Sequence, residues 1–390
     1  MKRYVSSVVA CGAVWLAACA DQTTQPRITA SSSAATGDVS AGDGQHVVGG
    51  VYTSTNGTSG NAVVAFARFE NGTLAKIGEF PTGGSGIGGG VDPLESQGAL
   101  AVSPDHQRLF VVNAGSSSIS TFAVSTDASL RLLGTVGSGG SSPISLTLAN
   151  DRLYVLNGDN SITGFAAEGG ALPQPVSHLS LGEAGEGAST IGASRDGKFL
   201  FVTERVAGAL DVIAVGATGD LAVISRRASS GNGPFGFAVT NRNQLLVSEA
   251  AGSAPSGAVS SYALGADGSL STLSASLSTH QTATCWLVLT KSGRFAYAAN
   301  AGSGSIAGYD VAVDGTITAL NSNGRTGVTN GSGATPLDMD VSQDGKFLFV
   351  LQTGTGTIGA FAIGSDGSLS VLADTPGISA VAGFQGLAAF

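Results

Sequence analysis

The heptapeptide "DGKFLFV" occurs twice in this 390-residue chain, at residues 196–202 and 344–350. Aligning the chain on it exposes a longer repeat. Units begin "SPDHQRLFVV" at Ser103, "ANDRLYVL" at Ala149, "SRDGKFLFV" at Ser194, "TNRNQLLV" at Thr240, "TKSGRFAYA" at Thr290 and "SQDGKFLFV" at Ser342. The steps are 46, 45, 46, 50 and 52 residues. A period in the forties to low fifties that holds several short strands predicts a β-propeller, because one such sheet cannot bury both faces alone.

Each unit reads as four strands, which in the second blade fall at residues 97–103, 108–114, 118–125 and 130–136. The "SxDGK" turn places Asp-Gly where a tight hairpin needs positive φ. "DGS" or "DAS" turns at Asp127, Asp267 and Asp366 close the outer hairpins. The segment 45–80 supplies three strands with no inner strand before them, and the terminal "FQGLAAF" at 384–390 resembles the inner strand "SQGALAV" at 96–102. The expectation is therefore an all-β, seven-bladed propeller of four-stranded blades, its ring closed by the C-terminal strand completing the first blade. Closure leaves few sheet edges exposed.

The composition suits this fold. The chain has 59 Gly, only 12 % charged residues and 42 % apolar residues, enough for a core threaded with tight turns. Its net charge of −9 and the absence of Lys/Arg clusters beyond Arg226-Arg227 argue against nucleic-acid binding. At the N-terminus, Lys2-Arg3 precedes an apolar run over residues 4–18, too short for a usual membrane-spanning helix. This reads as an export signal, 1–18. Its end, Leu16-Ala17-Ala18-Cys19, resembles the bacterial lipobox, which implies a lipid on Cys19 and anchoring to the bacterial cell envelope. Losing residues 1–18 would take the net charge to −11. Residues 19–44 are rich in Ser, Thr, Ala and Gly and read as a flexible tether, and 45–390 as the propeller. With Cys11 removed and Cys19 lipidated, Cys285 is the one remaining thiol and has no partner for an internal disulfide.

Repeats with "DGKFLFV" strands and "ADGSL" outer turns resemble the seven-bladed lactonase family, which includes bacterial 6-phosphogluconolactonase and fungal carboxymuconate cyclase. The resemblance covers about residues 45–390, and the chain has no WD dipeptide. In that family a Glu after the second strand, in an "NEL" motif, is proposed to be catalytic. The resemblance implies that role for Glu204 in "TER", and Glu249 in "SEA" holds the same position one blade later. At the place of the family's "PRH" motif this chain has Ala188-Ser189-Thr190.

Lactone hydrolysis needs a base to activate water and a donor for the carbonyl oxygen as it gains charge. Glu204 is a candidate base, with Arg205 or Arg227 as electrostatic partner. Two neighbouring carboxylates could also raise one another's pKa or bind a hard cation such as Ca²⁺, although no cofactor is otherwise indicated. Of the histidines, His106 falls on the opposite-face turn, His178 in an outer strand and His46 at the start of the first blade. That leaves His280, in "STHQTATCW", as the candidate on the functional face. The expected activity is hydrolysis of a sugar or aromatic lactone by a monomer tethered to the membrane through lipid. The alternative is a non-catalytic propeller that binds a carbohydrate, a peptide or an envelope protein.

Overall fold

The computed structural model describes residues 46–167, 172–182, 185–250, 255–329 and 333–390. The expected export signal, Cys19 and the expected tether lie outside them. The described strands form seven antiparallel sheets arranged as the blades of a propeller. In the first sheet, Gln385–Ala389 lies beside Val47–Ser54, followed by Ala62–Phe69 and Leu74–Pro81, so the C-terminal strand closes the ring. Blade six departs from the four-strand plan. Its outer position is split between Ile317–Ala319 and Gly327–Val328, both paired to Ser305–Val311, because the intervening "NSNGR" loops out.

The two copies of the heptapeptide adopt one local structure. In each, a serine hydroxyl (Ser194, Ser342) donates to the turn aspartate (Asp196, Asp344) at 2.8 and 2.6 Å. The same oxygen accepts the amide of Phe199 or Phe347 at 3.0 Å. Gly197 and Gly345 sit at φ 64° and 71°, which L-residues other than Asn and Asp seldom adopt. The strands that follow, Phe199–Glu204 and Phe347–Gln352, are covered on both faces by neighbouring blades. That double burial explains why they read as continuous apolar runs and not as an alternation.

The ring has no open axis. Residues 96–98, in the connection from blade one to blade two, cross the centre and bind inner strands of other blades. The Gln97 side-chain amide donates to the carbonyls of Leu287 (3.0 Å) and Phe237 (3.2 Å), and its oxygen accepts the Leu287 amide at 2.8 Å. Trp286 Nε1 donates to Ser96 O at 3.0 Å, Ser145 Oγ donates to Gln97 O at 2.6 Å, and the Gly98 amide donates to Asp338 at 3.3 Å. Polar groups buried on the axis are thus satisfied by one another, as burial requires. The plug separates an upper face, formed by the blade-to-blade connections and the loops between second and third strands, from a lower face formed by the "SxDGK" turns.

Candidate functional site

The last residue of each second strand reaches the upper face, and in all seven blades it is polar and buried: Ser54, Asn113, Asn157, Glu204, Glu249, Asn300 and Gln352. Two residues of the adjoining strands lie on the same side of the sheet, because side chains alternate along a strand and match across a pair. In blade two this gives Asn113, Ser120 and Thr135; in blade seven, Gln352, Gly359 and Asp374. Most of these groups hydrogen-bond within their own blade. Asn113 donates to Ser120 at 2.7 Å, and Gln352 donates to Asp374 at 2.7 Å.

Blade four breaks the pattern with charge. Its corresponding trio is Glu204, Asp211 and Arg226, from strands Phe199–Glu204, Ala209–Val215 and Leu221–Ala228. Glu186, on the connection leading into the blade, completes a cluster of three carboxyl groups around one guanidinium. Arg226 Nη2 lies 2.7 Å from Glu204 Oε2 and 2.8 Å from Glu186 Oε2, and Nη1 lies 3.7 Å from Asp211 Oδ2. Glu186 is held there because its carbonyl accepts the amides of Val206 and Ala207 at 3.0 and 2.9 Å, joining the two upper loops.

Ionising all three acids would leave two uncompensated negative charges beside a dry wall, which the fold cannot sustain. Glu204 is fully buried and its Oε1 has no donor among the described residues; the same holds for both Asp211 oxygens. Burial above all, then its hydrogen bond to Glu186 and the charge of Asp211, push Glu204 up to about 8, against the pull of Arg226. Burial also raises Asp211. Glu186 moves the other way, below the usual carboxylate range, because it accepts from Glu204 and from Arg226. At neutral pH Glu204 therefore retains a proton, with Glu186 and Asp211 both placed to accept it. Two carboxyls pushed apart in this way form an acid and a base in contact. The Glu186 side chain is 28 % exposed, so the base of the pair is the member that solvent reaches.

The residues expected from sequence separate into different environments. Arg227, one residue along from Arg226, points away from Glu204. It donates to Leu270 O (2.6 Å) and Thr272 Oγ1 (3.0 Å) and lies over the Tyr262 ring at 5.0 Å. Arg205 pairs with Glu95, from the blade-one-to-two connection, across the upper mouth. Glu249 does not join Glu204. It accepts from Ser260 Oγ (2.6 Å), the Gly231 amide (2.7 Å) and Ser229 Oγ (3.2 Å), all neutral donors. His280 is exposed at φ 55°. Cys285 is fully buried in the inner strand Thr284–Leu289. No group of three or more His, Cys, Asp or Glu side chains among the described residues is arranged to hold a metal ion; the cation within the acidic cluster is Arg226.

Glu186, Asp211 and Arg226 are not among the site residues expected from the sequence. A signal was present in Asp211, an acid in the middle of the otherwise apolar strand "ALDVIAV". A buried strand acid needs a partner, and pairing register gives Arg226 and excludes Arg227. Glu186 had no comparable signal, since a loop acid carries no register.

The comparisons with known proteins agree on the architecture. A crystal structure of a putative 6-phosphogluconolactonase from Bacteroides fragilis superposes with TM-score 0.67 at 18 % identity, covering 88 % of this chain and 98 % of that one. The periplasmic gluconolactonase of Pseudomonas aeruginosa gives 0.65 at 18 % identity, covering 85 % and 97 %. A functionally unknown protein from Desulfotomaculum acetoxidans gives 0.66 at 14 % identity, covering 86 % and 98 %. At such identities the likeness is one of fold. No curated protein matches the sequence significantly. The profile described as "Lactonase, 7-bladed beta-propeller" matches residues 58–169, 149–254 and 247–374, together most of the propeller. The chain belongs to the lactonase family of seven-bladed β-propellers.

Proposed function

We propose that this propeller hydrolyses a lactone at the upper face of blade four, with Glu186 as general base and Glu204 as general acid. The observation that carries this reading is the cluster of Glu186, Glu204 and Asp211 around Arg226, in which Arg226 Nη2 lies 2.8 Å from the partly exposed Glu186 and 2.7 Å from the buried Glu204. Glu186 takes a proton from water as its oxygen attacks the lactone carbonyl. Arg226, 36 % exposed, is the cation nearest the developing oxyanion. As the ring C–O bond breaks, the leaving alkoxide takes the proton of Glu204, passed on through Glu186 because Glu204 is closed to solvent, giving a hydroxy acid. Acid and base of this kind each contribute about 10²–10⁴-fold to such reactions.

The substrate class is a sugar or aromatic lactone. Export with a lipid on Cys19 would place the enzyme on the bacterial cell envelope, a setting that disfavours a phosphorylated cytoplasmic metabolite. The test is turnover by purified residues 45–390 on a panel of unphosphorylated sugar and aromatic lactones, beside Glu186→Gln and Glu204→Gln. Turnover that survives both substitutions removes this site. No turnover on any lactone favours a face that binds carbohydrate, peptide or an envelope protein without chemistry. Mass spectrometry of the membrane fraction decides separately whether Cys19 carries lipid.

A further inference from the structure

The lower face holds a second, separate feature. A cavity of about 590 Å³ opens at the mouth of the ring beneath the plug, a size suited to a small-molecule ligand. Its walls are the lower ends of the inner strands of blades one, two and seven, through Leu100–Val102, Leu387, Ala388, Ala389 and Asp340. Its rim is made by the "SxDGK"-type turns. The residue that follows the Ser or Thr of that turn is Arg195 in blade four, Asn241 in blade five, Lys291 in blade six and Gln343 in blade seven, and all four line the cavity. One repeat position thus supplies four N–H donor side chains around a single opening.

The charge of this rim is unlike that of the molecule. The chain carries a net charge of −9, yet the cavity holds Arg195 and Lys291 against one acid, Asp340. Both oxygens of Asp340 are already engaged, Oδ1 by the Val341 amide at 2.8 Å and Oδ2 by the Ala389 amide at 2.9 Å. Among the described residues, neither the Arg195 guanidinium nor the Lys291 ammonium has a carboxylate within 4.0 Å. His106 closes the far side, stacked on Phe390 with ring centroids 4.7 Å apart. Burial and the facing Lys291 hold His106 below its ordinary pKa, so it stays neutral and offers one donor and one acceptor. Charged donors opposite amides and a neutral imidazole suit an oxyanion attached to a hydroxylated body.

We infer that the lower mouth binds a small hydroxylated oxyanion, a sugar acid or sugar phosphate, with Arg195 and Lys291 holding the anionic group and Asn241, Gln343 and His106 the hydroxyls. Because residues 96–98 close the axis, this site is distinct from the Glu186–Glu204 pair and does not depend on its chemistry. Both cations stand on exposed turns, so their removal leaves the blades intact.

Calorimetric titration of the intact propeller with gluconate, glucose 6-phosphate, inorganic phosphate and glucose tests this. Gluconate or glucose 6-phosphate should bind while glucose does not, and affinity should fall as salt is raised. Arg195→Ala and Lys291→Ala should each weaken binding about fivefold or more, and together about thirtyfold, with unfolding temperature unchanged; a fully desolvated pair would lose more. Glu204→Gln should leave this binding as it is. The inference fails if neither anion binds more tightly than glucose, or if the double variant binds as the parent does. It fails equally if Glu204→Gln abolishes the binding, which would place the ligand on the upper face. Inorganic phosphate binding as tightly as glucose 6-phosphate overturns the role given to the hydroxyl contacts.

Discussion

Glu204 and Glu249 end the second strands of adjacent blades and are both buried, yet the fold gives them opposite tasks. Glu249 meets three neutral donors and serves as the hydrogen-bond hub of the loop over Ser229 and Gly231. Glu204 meets two further acids and shares one arginine with them. The difference arises from the third strand, which brings Ser260 to Glu249 and Asp211 to Glu204. Hydroxyl and amide donors engage one oxygen of Glu249, whereas a second carboxylate forces Glu204 to retain a proton. Strand position alone therefore does not mark a catalytic acid; its cross-strand neighbour does.

The largest effect that separates the two residues should be on rate. Glu186→Gln or Glu204→Gln should each lower kcat for the lactone substrate by about 10²–10⁴-fold. Glu249→Gln should remain within about threefold, as steady-state kinetics on the same preparations would show. Equal losses from all three would mean that the comparison is wrong.

Next in size is the charge balance. Arg226→Met leaves the carboxyl cluster without its cation and, with Arg226 36 % exposed and screened by solvent, should destabilise by about 1–3 kcal/mol in urea titrations. Arg227→Met loses a surface hydrogen-bond set and should cost about 1 kcal/mol. Comparable costs would show that register does not distinguish the two arginines. For Glu249→Ala, which strands three donors, about 1–3 kcal/mol is expected.

The effect spread most thinly, over several pH units, is a slope. Glu204 is raised to about 8, so from about pH 5 to pH 8 the folded protein holds a proton that the unfolded chain has released. Its contribution to stability is then greatest at the acid end of that window. It falls as pH rises, by about 1.4 kcal/mol per pH unit for one full proton, and is level above pH 8. Glu204→Gln, neutral at every pH, should flatten this part of the stability curve. Asp338, lifted by burial to about 7, adds a similar slope that Glu204→Gln keeps. An unchanged slope in Glu204→Gln would mean that the buried carboxyl is ionised. The same titration should turn off hydrolysis above about pH 8, when the general acid is lost.

Much of the fold was legible because a repeat states its own period. The turn residues of "SxDGK", the doubled heptapeptide and the resemblance between "FQGLAAF" and "SQGALAV" fixed the number of blades and the closure of the ring before any coordinates. The split outer strand of blade six was hidden, since "NSNGR" reads as any loop until its flanks are seen on one partner strand. The plug was hidden too. Gln97 stood within an expected inner strand at 97–103, but the strand begins at Leu100 because Gln97 reaches across the axis to blades five and six.

By itself, the sequence determined the ring and the position of Glu204 within it, because strand periodicity and turn chemistry are local and survive translation into one dimension. The tertiary structure alone decided what surrounds that position. It set Arg226 beside Glu204 and turned Arg227 away, brought the Glu186 loop over both, and gathered Arg195 and Lys291 from separate blades at the lower mouth. The physical reason is that a carboxyl group's proton affinity depends on charge and solvent within a few ångströms. Those neighbours come from strands and loops whose proximity only the closed ring creates.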